Sequence, residues 1–296
     1  DYLAVFEVLP LPYRGAFSPF SFAALLVSMG IILAARFVRA QRQTETVSRI
    51  LSGRVDEKTR LLDRALGDLE LNLILARKIQ RNLLPPNHAW PGFRLATLYV
   101  PMQQIGGDFY DIFPMRHGRS VGFLMADSSG HGVAAAFVST MAKMALDGAL
   151  DEPKSPGELF SEMNDRLQGR TCGNFVTATL MEVDLNTRRA VVVSAGHAPI
   201  LQQHANGVPE EIPARGKVLG VFPNLKFVET EIRVEPGMRF FLYTDGIVEL
   251  MDPRTHDLFG EERFFGLVRG NAGVPVGALL EQIRRSMDSF VGGAEY

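Results

Sequence analysis

Asp108, Asp127 and Asp245 each stand beside or near glycine at the edge of an apolar run. They lie in Ile105-Gly106-Gly107-Asp108-Phe109-Tyr110-Asp111, in Ala126-Asp127-Ser128-Ser129-Gly130-His131-Gly132 and in Tyr243-Thr244-Asp245-Gly246. A carboxylate at the end of a hydrophobic strand is held at the rim of a core, and glycine lets a backbone or a ligand come close. Three such edges brought together offer hard oxygen ligands of the kind that suits Mg²⁺ or Mn²⁺. A pair of those ions can activate water against a phosphate ester. Singly, each motif is weak, because Asp-Gly is more often a plain turn. Their order and shared placement carry the signal. His131 and His197 lie in similar glycine-bearing segments. An imidazole there either protonates a leaving alkoxide or pins its loop. Asp111 reads as a hydrogen-bonding neighbour of the ligands.

These side chains need elements to position them. Apolar runs at 93–100, 121–126, 175–183, 190–195 and 238–244 have strand length and are rich in Val, Phe, Leu and Thr. Asp184-Leu185-Asn186-Thr187 and Glu235-Pro236-Gly237 read as turns. Residues 131–150 read as a helix that opens with small Ala134, Ala135 and Ala136. Ser155-Pro156-Gly157-Glu158 is a capping box with proline at the first helical position, starting a helix toward Gly169. Two further helices are predicted at 261–269 and 275–291. Hairpin strands with helices inserted in blocks predict an α+β fold of antiparallel sheets with helices outside.

The N-terminal third reads differently. Gly15 to Ala35 carries no charge, and Arg36, Arg39 and Arg42 follow at once. An apolar stretch of about 20 residues is what a helix needs to cross a bilayer, and trailing arginines place that end in the cytoplasm. From 62 to 83 the positions Leu62, Leu66, Leu69, Leu73, Ala76, Gln80 and Leu83 alternate in steps of four and three. That seam predicts a parallel two-stranded coiled coil and hence a homodimer, the alternative being one amphipathic helix packed on the following domain. Leu84-Pro85-Pro86 ends the helix. The division is a segment outside the membrane at 1–15, a transmembrane helix at 16–38, a coiled-coil linker at 39–84 and a catalytic domain at 85–296.

Net charge is −2, which argues against nucleic acid as a partner. Cys172 is the sole cysteine, so an internal disulfide and a Cys-rich zinc site are both excluded. The first residue is Asp1, which reads as the start of a fragment.

The sequence from Ala76 onward resembles the RsbU/SpoIIE-type branch of the metal-dependent PP2C-like serine/threonine phosphatases. The resemblance rests on Ala76-Arg77-Lys78-Ile79-Gln80-Arg81-Asn82-Leu83-Leu84-Pro85 and the first two Asp motifs. It continues in Asn174-Phe175-Val176-Thr177-Ala178-Thr179-Leu180, Ser194-Ala195-Gly196-His197-Ala198-Pro199, Thr244-Asp245-Gly246-Ile247-Val248-Glu249 and Phe259-Gly260-Glu261-Glu262-Arg263-Phe264. It implies a β-sandwich of two mainly antiparallel sheets flanked by helices around two Mn²⁺ or Mg²⁺ ions. Asp127 would bridge both ions, with the Ser128 carbonyl as a further ligand, Asp108 on one ion and Asp245 on the other. These residues would act through a water activated by the ions. Gly196, His131 and His197 would organise loops or bind substrate. A phosphoserine or phosphothreonine on a STAS-domain anti-anti-sigma factor is the implied substrate.

The N-terminal part resembles, more distantly, the last helix and linker of seven-transmembrane signalling receptors, placing the protein in the cytoplasmic membrane. One departure stands out. The family pattern carries a further Asp-Asp pair before a last strand, which the residues up to Tyr296 lack. The expectation is a clipped C-terminus with one metal ligand missing. Two other readings compete. One is a PP2C-like module without catalysis that transmits a dimer signal. The other is a diguanylate cyclase suggested by Gly106-Gly107-Asp108-Phe109, against which the missing Glu after Asp108 weighs.

Overall fold

The computed structural model describes residues 19–86, 89–101, 105–204 and 207–292. The expected segment 1–15 and the last residues, 293–296, lie outside them. The chain divides after Glu70 into two compact units.

One helix, α1 (Pro19–Leu83), runs through the first unit and into the second. It contains an 18-residue stretch of mean hydropathy 1.8, long and apolar enough to cross a membrane. The seam residues Leu62, Leu66 and Leu69 are exposed along it. In the second unit the seam changes character: Leu73 and Ala76 are half-buried and Gln80 is buried.

The second unit holds two antiparallel sheets. Strands β1 (Phe109–Met115), β2 (Ser120–Ser128), β3 (Val176–Asp184), β4 (Arg189–Ala195) and β7 (Thr230–Arg233) form one, in the order β1-β2-β3-β4-β7. Strands β5 (Leu201–Gln203), β6 (Pro209–Glu211) and β8 (Arg239–Phe241) form the other, in the order β6-β5-β8. Helices α2 (Gly132–Ala149) and α3 (Pro156–Leu167) join β2 to β3. Helices α4 (Gly260–Gly270) and α5 (Val276–Phe290) follow β8.

Side-chain alternation along the strands sets the layers, since successive residues face opposite sides of a sheet. Val176, Ala178 and Leu180 of β3 and Val193 and Ala195 of β4 share a core with Val138, Leu146, Phe160 and Met163 of α2 and α3. Met181 and Val183 of β3 and Ala190 and Val192 of β4 point the other way, to Ile200, Ile212 and Phe240. A third core joins Leu201 and Tyr243 to Phe264, Leu279 and Ile283 of α4 and α5. The stack is therefore helices, sheet, sheet, helices.

Local signals account for the boundaries. Ser155 Oγ accepts from the Glu158 N–H, and Glu158 reaches back to the Ser155 N–H at 2.9 Å, completing the capping box that opens α3. Asp184 Oδ1 accepts the N–H groups of Asn186 and Thr187, which turns β3 into β4. Two expectations are corrected. Residues 93–100 form no strand; Phe93 instead sends its ring edge-on against Phe123, 5.2 Å between centroids. The run 238–244 is a strand only over Arg239–Phe241, because the chain must leave the sheet to carry Asp245 to the rim. Strand β1 falls where the sequence showed an Asp motif rather than an apolar run.

Candidate metal centre

Asp127 lies near the end of β2, opposite Thr177 of β3. Phe109 of β1 pairs with Ala126 of β2, so Asp108, one residue ahead of β1, comes level with Asp127. Asp245 arrives from the other sheet, at the start of a single 3-10 turn over Asp245–Ile247. Thr244 ties the two sheets together here: its hydroxyl donates to Asp108 Oδ2 at 2.8 Å. Asp108 and Asp127 stand at strand ends, as the sequence suggested, whereas Asp245 lies four residues past the end of β8.

The electrostatics record how close the acids are. Burial raises the Asp127 carboxyl to about 8, helped by a hydrogen bond and charge from Asp108 and by the charges of Asp245 and Glu249. Removal from water and like charge both disfavour ionisation. The four acidic side chains nevertheless do not close on one point. Among the described residues no group of three His, Cys, Asp or Glu side chains is arranged to hold an ion by itself. Mg²⁺-type sites commonly take only one or two carboxylates and fill the remaining positions with carbonyl oxygens, waters and substrate oxygens. The donor chemistry here fits that pattern: carboxylates and backbone carbonyl oxygens, without sulfur.

The loop bearing Asp108 is held on several sides. Gln80 of α1 donates Nε2 to the Gly106 carbonyl at 2.5 Å and accepts the Gly106 N–H at 3.2 Å. Tyr99 donates its hydroxyl to the Asp108 carbonyl at 3.3 Å. Burial, then the Asp108 charge, push that phenol up to about 12, so it remains a donor. Ser128 gives its N–H to the Gly107 carbonyl at 3.4 Å, while its hydroxyl donates to the Ala135 carbonyl of α2 at 2.7 Å. Glycine is required at 107 for space: a Cβ there would lie 2.7 Å from Ser128 Oγ, 2.8 Å from Ser128 O and 3.2 Å from Asp127 Oδ1.

His197 is part-buried between the sheets. Its Nε2 meets the Tyr243 carbonyl at 3.1 Å and its Nδ1 meets the Thr177 hydroxyl at 2.8 Å. A carbonyl only accepts, so Nε2 carries the proton and Nδ1 accepts from Thr177. Burial holds this imidazole below its usual pKa, against the opposing charges of Asp108 and Asp245. The neutral ring fastens the end of β4 to the Asp245 segment. Gly196, beside it, has a φ of 73° and lies against Val218. His131 is exposed at the N-cap of α2 and makes no side-chain capping bond. Asp111 is buried away from the acidic cluster, accepting the Ile112 N–H and pairing with Lys143 of α2 at 2.8 Å.

Gln80, Tyr99, Thr177, Thr244 and Glu249 were not singled out as site residues from the sequence. Thr244 and Glu249 flank Asp245 within its motif. Gln80 was visible as the polar residue in an otherwise apolar seam. Tyr99 carried no signal.

Comparison with known proteins bears on the fold and the family. The chain is 26% identical over 220 residues to the phosphoserine phosphatase RsbP of Bacillus subtilis, covering 73% of this chain and 52% of that protein. It is 23% identical over 188 residues to the phosphoserine phosphatase RsbU of the same organism, covering 62% and 55%. It thus spans about half the length of these relatives. The structure of the SiaA-PP2C domain of Pseudomonas aeruginosa superposes with a TM-score of 0.68 at 22% identity, covering 78% of this chain and 94% of that domain, which shows a PP2C-like fold. Residues 117–295 match the family model of stage II sporulation protein E, and with more than half its length so matched the chain belongs to the SpoIIE family.

Proposed function

We propose that this chain is a membrane-tethered, metal-dependent protein serine/threonine phosphatase acting on a phosphoserine or phosphothreonine of a STAS-type anti-anti-sigma protein. One observation carries the reading: Asp108, Asp127 and Asp245 come from separate elements to one rim, where burial, then a hydrogen bond and charge from Asp108 and the charge of Asp245, push the Asp127 carboxyl up to about 8. The naming of RsbP and RsbU as phosphoserine phosphatases supports the reaction class. The apolar stretch of α1 supports the tether.

Asp108, Asp127, Asp245 and the Ser128 carbonyl are the residues that would hold Mn²⁺ or Mg²⁺. Such ions supply a lowered pKa for the attacking water and neutralise phosphoryl oxygens. Thr244 aims the Asp108 carboxylate, and Gln80 and Tyr99 fix the backbone that carries it. The chemistry so supplied would be in-line attack of water on phosphorus with loss of the seryl or threonyl oxygen, which must take up a proton as it leaves. His197 is not placed to give that proton, because both of its ring nitrogens are engaged. A cavity of about 400 Å³, lined in part by Arg116, His117 and Lys154, lies at the far end of the β1–β2 hairpin and takes no part.

The test is hydrolysis of p-nitrophenyl phosphate by the full-length protein with and without Mn²⁺, alongside calorimetric titration of the ion. Mn²⁺-dependent turnover lost in Asp127→Asn is expected. Neither turnover nor Mn²⁺ binding would overturn the reading in favour of a non-catalytic signalling module.

A further inference from the structure

Residues 212–229 connect β6 to β7 without a helix or a paired strand of their own. Connections longer than about 12–15 residues inside a compact domain are usually functional when ordered. This one is fastened. Leu219 exchanges two backbone hydrogen bonds with Val176 at the start of β3, at 2.8 and 3.1 Å. The fully buried Asn164 of α3 accepts the Gly220 N–H and donates to the Phe222 carbonyl, both at 2.9 Å. At its near end the loop lies on the strand leading to His197: a Cβ at Gly216 would strike the Ser194 carbonyl, and Val218 touches Gly196. The segment Arg215-Gly216-Lys217 thus stands one residue from His197, whose ring feels Asp108 and Asp245.

The chemistry of this segment is one-sided. The segment carries Arg215, Lys217 and Lys226, and its one acidic residue, Glu229 at the far end, is taken up by the Gly157 N–H of α3 at 2.8 Å. All three cations are exposed, and among the described residues none forms an ion pair. Lys217 lies over the exposed Phe222 ring, 5.0 Å from its centroid, which holds the ammonium at the surface. Arg116, Lys143 and Arg166 of the same unit pair with carboxylates, whereas Arg170 and Arg188, like the loop cations, form no ion pair among the described residues. A loop anchored against the Ser194–Gly196 segment and bearing cations that form no ion pair among the described residues suits an extended anionic chain. Its phosphate would reach the acidic cluster while neighbouring carboxylates meet the loop.

We infer that Arg215 and Lys217 select protein substrates by binding acidic residues that flank the phosphorylated side chain. The inference rests on the phosphatase reading above and adds the sequence preference of that same site.

The experiment uses the full-length protein with Mn²⁺ and three substrates. These are p-nitrophenyl phosphate, a phosphoserine peptide flanked by Asp and Glu, and the same peptide with Asn and Gln in their place. The wild type is expected to favour the acidic peptide about tenfold in kcat/KM, through KM, with the preference shrinking as salt rises. In the double variant Arg215→Gln, Lys217→Gln the ratio between the two peptides should fall to near one. In Arg215→Glu, Lys217→Glu it should invert. Simple damage to the fold would lower all three substrates together and leave the ratio unchanged, and that outcome overturns the inference. Equal rates on both peptides by a wild type that turns over p-nitrophenyl phosphate overturn it alone. A wild type inactive on p-nitrophenyl phosphate overturns the phosphatase reading and this inference with it.

Discussion

A carboxyl group that binds a cation must be ionised, yet burial and acidic neighbours push Asp127 up to about 8. The conflict makes a stability prediction with a definite sign. In metal-free protein the folded state keeps a proton on Asp127 that the unfolded chain releases near pH 4, so stability falls as pH rises from about 4 to 8. The slope from one proton is at most about 1.4 kcal/mol per pH unit. Asp127→Asn should flatten that slope in melting curves recorded in chelator, and should raise the melting temperature at pH 8 while abolishing Mn²⁺-dependent hydrolysis. Gly107→Ala should act by space instead. Its methyl group meets the Ser128 backbone oxygen at 2.8 Å, so the Asp108 loop must shift. We expect at least a tenfold weaker Mn²⁺ affinity by calorimetry.

At the scale of elements, the end of α1 is where the linker meets the chemistry. Gln80 satisfies both the N–H and the carbonyl of Gly106, two residues ahead of Asp108. We propose that movement of the segment Ile79 to Pro86 organises or releases the metal site through this grip. Gln80→Leu leaves two part-buried backbone groups without partners, a loss of about 1–3 kcal/mol for each group left dry. The Mn²⁺ concentration for half-maximal activity should rise several-fold, with rate recovered at saturating Mn²⁺; an unchanged Mn²⁺ dependence would remove Gln80 from the mechanism. The Lys143–Asp111 pair fastens α2 to β1 in the same region. Lys143→Met should destabilise the fold by about 3–5 kcal/mol in urea titrations, because it strands a buried carboxylate. The sequence placed Asp111 beside the ligands; its partner on a distant helix was not legible there.

For the whole molecule, the division of the seam bears on assembly. Leu73, Ala76 and Gln80 are half-buried or buried within the second unit, whereas Leu62, Leu66 and Leu69 are exposed and are the residues we propose for a parallel dimer. Replacing those three leucines by Glu should convert the detergent-solubilised full-length protein from dimer to monomer in light scattering, with the catalytic domain still folded by circular dichroism. A stable dimer in that variant would place the contact elsewhere.

The elements of the catalytic unit were largely legible because their signals are local. The capping box at Ser155, the Asx turn at Asp184 and the strand runs of β2, β3 and β4 each act over a few residues. The short strands β5 to β8 were seen only in part, since three or four residues carry too little alternation to register. The aspartates we propose as ligands were picked out in the sequence by the glycines around them. What only the tertiary structure decided is which groups face each other across long separations. Gln80 against Gly106, Thr244 against Asp108, and the loop around Gly216 against Ser194 are set by how the two sheets stack and where α1 comes to rest. Spacing along a chain fixes neighbours within an element. Contacts between elements depend on the packing of all of them at once.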